Sequence, residues 1–134
     1  MPNTLYTGQK PIKTLEQGNH KMERKVFDKL VRDKIPEMLD KNGGETETKI
    51  LNDEEYIKCL YEKLKEECNE VIEADSRKDL IEELADLHEV ILSLAKAKNI
   101  GMEEIESTRI KKREKRGGFD SKIFLKSSNI VNKI

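Results

Sequence analysis

Two pairs of carboxylates could do chemistry in this sequence: Glu67 with Glu70, and Glu83 with Asp86. Each pair has the i, i+3 spacing that puts two side chains on one helix face. Four clustered carboxylates repel strongly once partly desolvated, so they call for cations or for protonation. A donor set made only of oxygens selects a hard ion, Mg²⁺ first and Mn²⁺ as a substitute. Because Mg²⁺ keeps waters and shares phosphate oxygens, such a site is completed by a phosphorylated ligand. The chain is 40 % charged, so Glu-x-x-Glu alone also describes an ordinary solvated face. The placement of the two pairs decides between these readings.

Two helices must carry the pairs. Asn52-Asp-Glu-Glu55 has a capping side chain and an acid three residues later, a helix start. Ile57, Leu60, Tyr61, Leu64, Cys68, Val71 and Ile72 then recur at helical spacing to about Asp75. Ser76 can cap a second helix, whose apolar seam is Leu80, Ile81, Leu84, Leu87, His88, Ile91 and Ala95, ending near Lys98. With about 100° per residue, and Leu64 and Cys68 at the seam centre, Glu67 and Glu70 fall on one flank. With Leu84 and Ile91 at the second seam centre, Glu83 and Asp86 fall on the flank of the same sign. Glu66, Glu73 and Glu82 point outward. His88 and Cys68 read as core or interface residues on the seam. The connection is short, so the helices pack antiparallel, and the acid pairs mirror about the bend between Ser76 and Arg77. All four carboxylates are expected on one side at one level, across a gap of about 8–10 Å.

Around this hairpin the sequence predicts a short helix from Pro36 to about Lys41, ended by Asn42-Gly43-Gly44. A third long helix runs from Met102 to Arg116 and stops at Gly117-Gly118. Minor strands are at most expected near 45–51 and 119–125. Residues 1–22 read as a flexible leader, 23–126 as the domain and 127–134 as a tail. The expected fold is all-α, an antiparallel helical bundle.

The 134 residues suit one domain. With no Trp and only 3 Tyr and 3 Phe, aliphatic side chains must build the core. The 26 basic and 27 acidic residues nearly cancel, which argues against a purely electrostatic nucleic-acid binder. The charge is dipolar, however, with an acidic middle and a basic stretch from Arg109 to Arg116. Lys112, Arg113, Lys115 and Arg116, with Arg32 and Lys34 of the opening block, are the candidates for holding phosphate. Cations at a helix C-terminus are also favoured without any ligand. Cys59 and Cys68 sit about 13 Å apart on one helix, cannot pair within it, and fit a reducing cytoplasm. No signal peptide or membrane span is visible. Wide apolar stripes on so small a chain point to self-association.

Glu67-x-x-Glu70 followed by Glu83-x-x-Asp86 resembles the paired signature of the all-α nucleoside triphosphate pyrophosphohydrolases, the MazG-like superfamily. Lys63-Leu-Lys-Glu-Glu67 and Glu82-Glu-Leu-Ala-Asp86 match its wording. Lys29-Leu-Val-Arg-Asp-Lys-Ile-Pro36 and Lys115-Arg-Gly-Gly-Phe119 resemble its phosphoribosyl-ATP pyrophosphohydrolase-like branch. The resemblance covers roughly Phe27 to Leu125. It implies a four-helix core, a dimer or tetramer, and Mg²⁺-dependent hydrolysis between the α and β phosphates of a nucleotide, releasing pyrophosphate. It assigns Glu67, Glu70, Glu83 and Asp86 as metal ligands and a nearby carboxylate as the acceptor of a proton from the attacking water; Glu67 is the candidate for that second role. No aromatic and Asn set marks a particular base, so the nucleotide is open between a nucleoside triphosphate and phosphoribosyl-ATP. The competing reading is a non-catalytic helical nucleotide-binding or scaffold protein, which would show no metal-linked gain in nucleotide affinity.

Overall fold

The computed structural model describes residues 4–6, 11–13 and 23–131. Most of the expected leader therefore lies outside the described residues. Within that stretch, β1 (Thr4–Tyr6) and β2 (Pro11–Lys13) pair antiparallel, with Leu5 opposite Ile12. The fold is all-α beyond this hairpin. Its helices are α1 (Ile35–Lys41), α2 (Asp53–Glu73), α3 (Arg77–Ala97) and α4 (Met102–Arg116). The chain divides into two compact units, Met1–Asn99 and Ile100–Ile134.

The first unit is built on the α2–α3 hairpin. Asn52 closes a full capping box at the start of α2. Its side chain accepts from the Glu55 backbone N–H, and Glu55 reaches back to the Asn52 N–H. Ser76 caps α3 by accepting from the Asp79 N–H at 3.0 Å. Only Ala74, Asp75 and Ser76 separate the helices, which forces the antiparallel return. Ile35, Leu60, Val90 and Ala95 form the buried apolar core. Pro36 occupies the first turn of α1, and Gly43, at φ 86°, takes the left-handed turn that ends it.

The hairpin meets along a different line from the expected seam. Leu60, Lys63 and Glu67 are the buried positions of α2, and Glu83, Val90 and Ala95 those of α3. Cys68, expected in the core, is exposed, and His88, expected in the core or at an interface, is exposed in the single chain. Ile72, Ile81 and Leu84 are 78, 51 and 47 % exposed. Leu60 and Ala95 of the expected seam are buried, but on both helices the buried face extends to the acidic flank, at Lys63, Glu67 and Glu83. The physical reason lies in the stripe width. An apolar stripe of 100° or more exceeds what one neighbouring helix covers, and periodicity does not say which edge that neighbour takes.

Residues 45–51 and 119–125 hold no strand. Asp40 instead fixes the first of these segments by accepting from the Thr46 backbone N–H and hydroxyl, at 3.2 and 2.9 Å.

The second unit contains α4, none of whose residues is buried. Gly117 ends the helix at φ 81°. A Cβ on Gly118 would lie 2.1 Å from Arg113 Nη1, so this glycine admits the Arg113 side chain, whose Nη2 pairs with Asp120 Oδ2 at 2.9 Å.

Candidate metal centre

Glu67 sits in the second half of α2, Glu83 and Asp86 in the first half of α3. The bend at Ser76 folds one onto the other. One carboxylate oxygen from each of the three lies within 4.8 Å of the others. Glu70, one turn further along α2, is half-buried and is not part of this trio.

Glu67 is the decisive member. It is 0 % exposed, and neither of its carboxylate oxygens accepts a hydrogen bond from a described residue. Burying an ionised carboxylate whose oxygens accept no hydrogen bond costs several kcal/mol, and the Lys63 ammonium, 3.7 Å from Oε1, offsets only part of it. Burial accordingly pushes the Glu67 pKa up to about 7, with Asp86, Glu66 and Glu83 pushing the same way and Lys63 opposing them. The Asp86 pKa is also raised, first by burial, while Arg32 and Lys63 pull it back. Three oxygen donors this close, one wholly buried without hydrogen bonds, fit a hard divalent cation. A second compensation, protonation, applies in the absence of that cation.

The basic surroundings were only partly legible. Arg32 donates from Nη2 to Asp86 Oδ1 at 2.7 Å, and Lys29 Nζ lies 2.8 Å from Glu66 Oε1. The opening block thus lies along the edge of the acids. Lys34 is exposed at the N-terminus of α1. Lys112, Arg113, Lys115 and Arg116 are exposed at the end of α4, in the other unit, with Arg113 on Asp120. Glu66, expected to point outward, is half-buried and bonded to both Lys29 and Lys63. Lys63 joins this surround without being among the expected phosphate-binding cations. This lysine is 6 % exposed, with Nζ 3.2 Å from Glu66 Oε2 and 3.7 Å from Glu67 Oε1. The signal was present: Lys63 stands three and four residues before the two acids, the spacings that meet on a helix.

The sequence model of the phosphoribosyl-ATP pyrophosphohydrolase family matches residues 25–113. The chain belongs to that family. Phosphoribosyl-ATP pyrophosphohydrolases are part of the all-α MazG-like superfamily, and the helical architecture agrees with that placement. The match takes in all four acids, the opening block and most of α4, and stops before Lys115. Membership makes the coarse activity that of a pyrophosphohydrolase-like hydrolase. Comparison with curated proteins and with solved structures gave no match. Among the described residues, no helix is long and apolar enough to cross a membrane.

Proposed function

We propose that this protein is a divalent-metal-dependent nucleotide pyrophosphohydrolase. It cleaves between the α and β phosphates of a nucleoside triphosphate or a phosphoribosyl-ATP-like nucleotide and releases pyrophosphate. The observation that carries this reading is the convergence of Glu67, Glu83 and Asp86 from two helices, in a chain of this family. Glu67, Glu70, Glu83 and Asp86 would hold Mg²⁺, or Mn²⁺ in its place. When bound, the ion would supply charge neutralisation on the phosphate and activate the attacking water. Glu67 is the carboxylate that would take the proton from that water. Its full burial beside Glu83 and Asp86 supports the assignment. Arg32 and Lys34 would bind the phosphate oxygens, where charge-assisted hydrogen bonds are strongest; Lys112, Arg113, Lys115 and Arg116 are phosphate-binding candidates on their sequence pattern alone.

The working unit is a homo-oligomer, a dimer or tetramer. Tyr61, Ile72, Ile81, Leu84 and Ile91, exposed along α2 and α3, support this, because a second copy would remove them from water. The functional domain spans 23–126, in keeping with the matched range, with a leader before it and a tail after it. Both cysteines are free thiols, which fits the reducing cytoplasm.

The test is pyrophosphate release from a panel of nucleoside triphosphates, deoxynucleoside triphosphates and phosphoribosyl-ATP in the presence of Mg²⁺. Release from at least one, abolished by EDTA, is expected. A folded sample that releases pyrophosphate from none of them overturns the proposal.

A further inference from the structure

We infer that Lys63 is a resident cation of the carboxylate cluster, a positioning residue that holds the site together before metal arrives and sets how tightly metal binds. The inference rests on the metal reading of the site given above. Lysine is rarely this buried unless paired. Here the ammonium lies 3.2 Å from Glu66 and 3.7 Å from Glu67. Both contacts are made within α2, at the i, i+3 and i, i+4 spacings that meet on one helix face.

The charge inventory makes this role specific. Lys29 and Arg32 also pair with the acids, through Glu66 and Asp86. Their side chains are 27 and 46 % exposed, against 7 % for Lys63. Exposed pairs are weakened by water and salt, and buried ones much less. Among the described residues, Lys63 is accordingly the buried cation that stands beside Glu67, whose oxygens accept no hydrogen bond from a described residue.

Two opposite effects follow. In the metal-free protein Lys63 offsets carboxylate repulsion and stabilises the hairpin. Toward an incoming divalent cation the same ammonium is a like charge in the same small volume and disfavours binding. Lys63 thus keeps the empty site folded and the loaded site exchangeable. A lysine serving only as packing would do neither, because its loss would lower stability equally with and without metal.

The experiment compares wild type with Lys63→Met and Lys63→Arg. Thermal midpoints are measured in EDTA and in saturating Mn²⁺, and Mn²⁺ affinity is measured by the loss of free Mn²⁺ signal in electron paramagnetic resonance. Lys63→Met is expected to melt roughly 5 °C or more below wild type in EDTA. It should recover most of that loss in Mn²⁺ and bind Mn²⁺ about tenfold more tightly. Lys63→Arg, which keeps the charge, should bind Mn²⁺ as wild type does. Where Lys63→Met alone does not fold, Lys63→Met combined with Glu66→Gln restores the charge balance. That double variant should fold and bind Mn²⁺ near the wild-type constant. Equal loss of midpoint in both conditions, or unchanged or weaker Mn²⁺ binding by Lys63→Met, overturns the inference and leaves the metal reading standing. Failure of wild type and every variant to bind Mn²⁺ overturns both.

Discussion

Arg32 reaches across 54 positions of sequence to place Nη2 2.7 Å from Asp86 Oδ1, the same carboxylate that joins Glu67 and Glu83. A cation from the opening block is thereby delivered to the rim of the acidic cluster. Half-exposed as it is, this pair contributes under about 1 kcal/mol to stability. Its proposed role is to bind the phosphate of the ligand. Arg32→Ala is expected to lower the melting temperature little, yet raise the KM for a polyphosphate substrate about tenfold, with the loss deepening at higher salt. Steady-state pyrophosphate assays at two ionic strengths check this.

Glu67→Gln separates stability from function. Removing a buried charge whose oxygens accept no hydrogen bond from a described residue relieves desolvation. The variant should melt higher than wild type in EDTA, gain nothing from Mg²⁺, and lose turnover by a factor on the order of 10² or more. A variant that melts lower than wild type in EDTA would count against the unsatisfied state of this carboxylate.

The pH dependence of the metal-free protein follows from the same residue. Glu67 holds its proton up to about pH 7 in the folded state, while the unfolded carboxyl releases it near 4.5. Between these values the folded state carries the extra proton, so stability falls as pH rises. The raised Asp86 pKa acts in the same direction. The lowered Glu55 and Glu106 pKa values act the other way, but below about pH 4.5. Scanning calorimetry in EDTA should therefore give a higher midpoint at pH 5.5 than at pH 8. Saturating Mg²⁺ should narrow or reverse that difference, since bound metal favours the ionised acids.

Self-association through the exposed aliphatic face predicts that Leu84→Glu lowers the mass seen by light scattering. Leu84 is about half exposed in the single chain, so this change should barely perturb the hairpin itself. Leu60→Ala is the contrasting case. It opens a cavity at a 2 % exposed position and is expected to cost about 2–5 kcal/mol in denaturant titrations.

Much of this arrangement could be read from local signals. The capping box at Asn52 and Glu55, Ser76 at the bend and Gly117 after α4 fixed helix boundaries to within a residue or two. The mirrored acids followed from helix periodicity and a short connection. What escaped was non-local or rotational. Nothing near Lys29 or Arg32 announces that they meet Glu66 and Asp86, because that pairing depends on how a loop crosses a distant hairpin. Cys68 lies outside the core because an apolar stripe wider than one neighbour leaves its rotation undetermined. Lys63 was hidden by its type, since a lysine on a helix is ordinarily a surface residue.

The bend at Ser76 also works as the pivot of a pair of calipers. Its two arms bring their acids together only while equal lengths of helix separate each pair from the pivot. One residue inserted between Ser76 and Glu83 would swing Glu83 and Asp86 by about 100° and carry them away from Glu67. A whole turn added to both arms would keep the tips opposed. Length variation in this hairpin is therefore expected to come in matched helical turns on both sides of the pivot, a rule that can be applied to chimaeras and insertions before any of them is assayed.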